Sequence, residues 1–102
     1  MSRPLLVFAA LLGLYVSSMG PALAPYRDTG EMAVAASTLS IAHPPSYPAY
    51  IMLGHLAQRL PLGNKAYRLA LLSAAAAALA CALLFAAARR LWGPAAGAGA
   101  AL

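Results

Sequence analysis

Twenty consecutive residues, Leu69 to Ala88, carry no charge, and the run is closed by Arg68 on one side and Arg89-Arg90 on the other. A helix of that length rises about 30 Å, the thickness of a bilayer's hydrocarbon core. A transmembrane helix over 69–88 is therefore the first expectation. Its centre is mostly alanine, Ala74 to Ala78 and then Ala80 and Ala82, which favours helix formation but gives only modest hydrophobicity toward lipid. Ala74, Ala78 and Ala82 also repeat every four residues, the arrangement that lets membrane helices approach closely. A general alanine bias accounts for the repeat equally well.

A second apolar run, Pro4 to Ala24, has no charge until Arg27. Its length also suits a span. The rival reading is a cleaved leader, with Arg3 as a minimal basic region, Leu5 to Val16 as the apolar region and Ala22-Leu23-Ala24 as a small-residue cleavage site. Pro25 speaks against it, because a proline just after the scissile bond has a fixed ring and no N–H. Gly20 and Pro21 are expected to kink or end the helix. With 63% hydrophobic and only 9% charged residues, the chain falls outside the composition of ordinary soluble domains. The net charge of +5 does not point to nucleic acid, because the seven basic residues are scattered around the apolar runs instead of forming a stripe.

These features predict an all-α membrane protein with two transmembrane helices joined by an outward loop that carries short interfacial helices. The expected divisions are a first transmembrane helix with a short cytoplasmic N-terminus (1–26), an extracytoplasmic loop (27–68) with helices at about 31–41 and 49–60, the second span (69–88), and a basic end with a Gly/Ala-rich tail (89–102). Arg3 and Arg89-Arg90 place both termini in the cytoplasm by the positive-inside rule, whereas Arg27, Arg59, Lys65 and Arg68 in the loop oppose that orientation. The tail from Gly93 to Leu102 has no packing pattern and reads as a linker or as the start of a further span. Cys81 has no partner in the chain, so no intramolecular disulfide forms.

Asp28 and Glu31 are the only acids. Three residues apart, they share one face at the start of a helix, where two carboxylates could meet at a membrane surface. The same spacing fits a capping box, and from spacing alone the cap is the better reading. The segment His43-Pro44-Pro45-Ser46-Tyr47-Pro48 must turn, since three prolines in five residues cannot continue a helix. It is either a stiff corner holding His43, Tyr47 and Tyr50 near a site or, with better odds, a connector whose tyrosines sit at the lipid interface. From Ala49 to Leu60, Tyr50, Leu53, Ala57 and Leu60 form one stripe and His55, Gln58 and Arg59 another, the pattern of a helix lying along the interface. Lys65 and Arg68 can hold a lipid phosphate, although basic residues at a span entrance are more often plain anchors. There is no glycine-rich phosphate loop, no paired-cysteine site and no HExxH, and His43 and His55 are twelve residues apart, so no metal or nucleotide motif is present.

The ordered strings Asp28-Thr29-Gly30-Glu31, Ile41-Ala42-His43-Pro44-Pro45-Ser46-Tyr47-Pro48, Leu62-Gly63-Asn64-Lys65-Ala66-Tyr67-Arg68 and Leu71-Leu72-Ser73-Ala74 closely resemble the amino-terminal part of a known membrane family. It is the one catalogued as domain of unknown function 2723, grouped with the protein O-mannosyltransferase-like GT-C glycosyltransferases of family 117. The resemblance covers roughly residues 10 to 92. It implies a multi-span enzyme of a cytoplasmic (inner) membrane of bacterial type, moving a sugar, mannose-like, from a polyprenyl-phosphate donor to an acceptor hydroxyl outside the cytoplasm, on protein Ser or Thr. On that resemblance Asp28 is the general base and Glu31 assists or orients it. His43 and Tyr47 shape the site, and Arg68 with Lys65 holds the lipid phosphate.

No other cofactor is implied. Two positions depart from the family pattern: Ser46 stands where glycine is usual, and Ala70 where an asparagine often follows Ala-Tyr-Arg. If that position needs positive φ, a serine there strains the turn. Two spans are too few for such an enzyme, so the chain alone is expected to be inactive, an amino-terminal piece that needs further spans or an oligomeric partner. The rival is a small non-catalytic membrane protein that assembles through its alanine-rich helix.

Overall fold

The computed structural model describes residues 2–21 and 27–100, and among them all regular structure is helical. The cleavage-like Ala22-Leu23-Ala24, Pro25 and the end of the expected first span lie outside the described residues. The helices are α1 (Arg3–Ser18), α2 (Thr29–Thr38), α3 (Pro48–Ala57), α4 (Lys65–Trp92) and α5 (Pro94–Ala100). They group into two compact units, one of Met1–Ser18 with Ser73–Leu102, the other Met19–Leu72.

Helix α4, which lies in the first unit from Ser73 onward, is the one described helix long and apolar enough to cross a membrane. Its 28 residues rise about 42 Å. The sixteen residues of α1 rise only about 24 Å, less than a hydrocarbon core. That helix stops at Ser18 because Ser17 and Ser18 turn their hydroxyls back onto the carbonyls of Leu14 and Tyr15, and because Gly20 stands before a proline that disfavours helical backbone. The alanine repeat of α4 faces inward: Ala78 is wholly buried, Ala74 and Ala82 nearly so, and Phe85 and Ala88 continue the buried line. Pro4, Leu5 and Phe8 of α1 and Leu79, Ala82, Leu83 and Ala86 of α4 border an apolar groove of about 310 Å³.

The tail, expected as an unpatterned linker or span start, is helical over Pro94–Ala100. Gly93 adopts φ +93° and donates its N–H to the Arg89 carbonyl, ending α4, and Pro94 begins α5 at the first helical position, where its missing N–H costs nothing. Gly97 is buried against α4. A Cβ there would lie 2.8 Å from that of Arg89 and 3.1 Å from the Phe85 carbonyl. Backbone packing of this kind leaves no apolar periodicity to read.

In the second unit, α2 packs on α3 around Ala35, Ala42 and Ile51, with Met32 alongside. Helix α2 ends at Leu39, whose left-handed backbone is capped on the Ala35 carbonyl. Close packing depends on Gly54, where a Cβ would lie 3.0 Å from that of Ala36 and 2.6 Å from Cδ1 of Leu69. The 49–60 helix, expected to lie along the interface, turns its polar stripe toward α2. His55 Nδ1–H donates to the Ala36 carbonyl (2.9 Å), Ser37 donates to Gln58 Oε1 (2.8 Å), and Gln58 Nε2 donates to the Ala33 carbonyl (3.3 Å). Met52, Leu53, Leu56 and Leu60 are exposed. Ile51 and Gly54, the buried positions of α3, lie on the same side as His55 and Gln58, so the face is chosen by polar pairing and by the space a glycine leaves.

Candidate functional site: an Asp–Glu–His corner

Asp28 stands at the N-cap of α2, its carbonyl accepting from the Met32 N–H, but its side chain makes no capping hydrogen bond. Glu31, in the first turn, does not reach back to the cap. Its Oε1 accepts the backbone N–H of His43 (2.7 Å) and its Oε2 pairs with His43 Nδ1 (2.8 Å). The capping box favoured from spacing is therefore not formed. In a box the Glu31 carboxylate would gain one neutral N–H, whereas His43 brings two donors, one of them charge-assisted when the ring is protonated.

His43 is delivered by the chain leaving α2. After Leu39, which has φ +52°, the backbone turns back toward the start of the helix, and a tight turn follows in which the Ser46 N–H donates to the His43 carbonyl (2.8 Å) across a cis Pro44–Pro45 bond. Ser46 and Tyr47 both have positive φ, +73° and +45°. A glycine, the residue the resemblance led one to expect at position 46, would adopt that backbone without strain. Pro48 then opens α3.

The outcome is a corner in which the His43 ring lies between the two acids. Its Nε2 is 3.8 Å from Asp28 Oδ2, and Tyr47 packs edge-on against the ring with centroids 5.6 Å apart. The His43 N–H, then the ring hydrogen bond, hold the Glu31 carboxyl below its ordinary range. The hydrogen bond to Glu31 raises His43, some desolvation opposes that, and the negative charges of Glu31 and Asp28 add to the rise. All three groups are substantially exposed, so a substrate can reach them. One atom from each of Asp28, Glu31 and His43 lies within 4.8 Å of the others, so the trio could also share a cation. Spacing motifs did not reveal this grouping because its members come from positions three and twelve residues apart. The available signal was the His-Pro-Pro turn directly after a short helix with acids in its first turn.

The two basic candidates are placed differently. Arg68 donates to the carbonyls of Leu62, Gln58 and Gly63, by Nε at 2.6 Å, NH1 at 2.6 Å and NH2 at 3.0 Å. It thereby ties the loop after α3 to the first turn of α4, a structural task not foreseen from its position at a span entrance, and among the described residues these bonds use three of its five N–H donors. Lys65 is exposed as the first residue of α4. That helix is capped by Asn64, whose Oδ1 accepts the Tyr67 N–H (2.9 Å) while its Nδ2 donates to the Pro21 carbonyl (2.9 Å). The structure brings together Asp28, Glu31, His43 and Tyr47, and records no contact between that group and Lys65 or Arg68.

Fold and site thus define a protein that, among the described residues, is helical with one membrane-length apolar helix and an acid–histidine corner. Residues 28–98 match the family described as the Protein O-mannosyl-transferase TMEM260 N-terminal domain, and the match begins on Asp28 itself. The chain belongs to that family. It is 40% identical over 92 residues to Protein O-mannosyl-transferase TMEM260 of Mus musculus, an alignment that covers 89% of this chain and 13% of the mouse protein. The chain thus spans about an eighth of that relative's length. No solved structure matches it.

Proposed function

We propose that this chain forms the acceptor-side corner of a membrane glycosyltransferase of the GT-C type, within the group catalogued as domain of unknown function 2723 and family 117. The reaction transfers a mannose-like sugar from a polyprenyl-phosphate donor to a Ser or Thr hydroxyl. The observation that carries the reading is the convergence of Asp28, Glu31 and His43 inside the region shared with a protein O-mannosyltransferase. Asp28 is the base: its carboxylate is exposed, uncommitted to a helix cap, and free to take the proton of an acceptor hydroxyl as that oxygen attacks the anomeric carbon. Glu31 holds His43 by two hydrogen bonds and so sets the wall of the corner. Tyr47 fixes the other side of the ring.

Lys65 and the spare donors of Arg68 face the donor phosphate and offset charge on the leaving group. Residues 4–24 and α4 cross the bilayer, with the loop of residues 27–68 outside the cytoplasm. The catalytic unit includes further transmembrane helices, in keeping with the small share of the mouse relative that this chain spans. A non-catalytic protein assembling through its alanine stripe is the weaker reading, since that stripe is already buried within the chain.

The test is Asp28→Asn at the equivalent position of a full-length relative. Transfer to an acceptor peptide should fall by about 10²-fold or more with no loss of folded protein. Unchanged turnover would remove Asp28 from the role of base.

A further inference from the structure

We infer that the outward face of α3 is a lipid-binding surface that sinks into the acyl chains of an anionic bilayer, beyond lying on its headgroups. The inference rests on the membrane reading above but on a different set of residues. At about 100° per residue, Met52, Leu56 and Leu53 fall within about 100° of arc around the α3 axis, with Leu60 in the turn after it, and Gly54, Ile51 and His55 fall within a similar arc on the opposite side, continued by the C-cap residue Gln58. The first four are all exposed, Met52 at 63% and Leu56 at 56%. The second four face α2, with Gly54 and Ile51 buried.

The distribution is inverted relative to a helix that packs an apolar stripe on a soluble core. The polar groups that are turned inward find partners there: Ser37 with Gln58, Gln58 with the Ala33 carbonyl, and His55 with the Ala36 carbonyl. Among the described residues no buried side-chain polar atom lacks a partner. Internal satisfaction of polar groups beneath an apolar exterior is what a hydrocarbon surrounding requires.

Charge selects lipid as the occupant. Arg59 is exposed in the turn just after α3, where a basic side chain can reach phosphates at the rim, and Lys65 is exposed a few residues further on. The unit from Met19 to Leu72 carries Arg27, Arg59, Lys65 and Arg68 against Asp28 and Glu31, so it is drawn to an anionic surface.

Single-tryptophan chains test this in vesicles of phosphatidylcholine with a minority of phosphatidylglycerol. Trp92→Phe is the background, Leu56→Trp and Met52→Trp are the probes, and Leu84→Trp on α4 is the control. Lipids brominated near the top of the acyl chain should remove most of the emission at positions 52 and 56, while aqueous iodide leaves it intact. Quenching of Leu84→Trp with none at 52 and 56 would overturn the α3 assignment, whether those positions then proved open to iodide or covered by protein. Loss of quenching at all three would instead remove the membrane reading. Should the probes perturb packing, the Met52 methyl resonance of the unaltered chain gives the same information. A lipid-borne nitroxide should broaden it and an aqueous gadolinium chelate should not; the reverse pattern overturns the inference.

Discussion

Because His43 meets Glu31 through both its backbone N–H and its ring, the corner is a pH-dependent clasp whose working range follows from the two shifts. Glu31 is held below its ordinary 4.5, so its contribution is present above that value and is lost as the pH falls through the depressed one. His43 is raised above 6.5, so its contribution is full below that value and is lost as the pH rises through the raised one. The clasp is therefore tightest between about pH 4.5 and 6.5. Glu31→Gln should lower the midpoint of the His43 ring titration followed by NMR. An unmoved midpoint would mean that Glu31 does not hold the ring. Ser46, at φ +73°, carries a left-handed strain that glycine avoids. Ser46→Gly should raise stability by about 1 kcal/mol in denaturant unfolding, and Ser46→Val should lower it.

Among the elements, α2 and α3 depend most on one small residue. Gly54 admits no Cβ without contact at 2.6 Å to the Leu69 methyl and 3.0 Å to the Ala36 methyl. Leu69 can shift its flexible end, but Ala36 has no such freedom. Gly54→Ala should therefore destabilise the α2–α3 unit by about 1–3 kcal/mol, read as earlier loss of amide protection in α2 and α3 than in the second half of α4. Equal protection in the substituted and unaltered chains would show that the helices are less close than described. The start of α4 joins the same unit: the Asn64 cap and the three carbonyls gathered by Arg68 fix where the long helix begins.

For the whole molecule, length and charge bear on the proposed crossing of the bilayer. Helix α4 is long enough to cross, and α1 as a helix is short of a full span. With Cys81→Ala as background, Ser40→Cys in the loop should react with a membrane-impermeant maleimide in sealed cells, while Ser2→Cys should react only after permeabilisation. The opposite labelling would invert the orientation and agree with the four basic residues of the loop instead of those at the termini.

An uncharged run of twenty residues and prolines that forbid helix were enough to make α4 legible and to put a helix near each of 31–41 and 49–60. Those helices follow from local rules, since charge, rise per residue and ring geometry act within one or two turns, whereas Asp28, Glu31, His43 and Tyr47 were nominated by the family resemblance, spacing alone favouring a cap and a connector. Three further matters were decided by tertiary structure. Glu31 abandoned the cap because a residue twelve positions away offered it two hydrogen bonds. The polar stripe of α3 turned inward because carbonyls and Ser37 of α2 were there to receive it. The tail became a packed helix because Gly97 let backbone approach backbone. In each case the deciding partner is distant in sequence, and periodicity along one segment carries no information about what will face it.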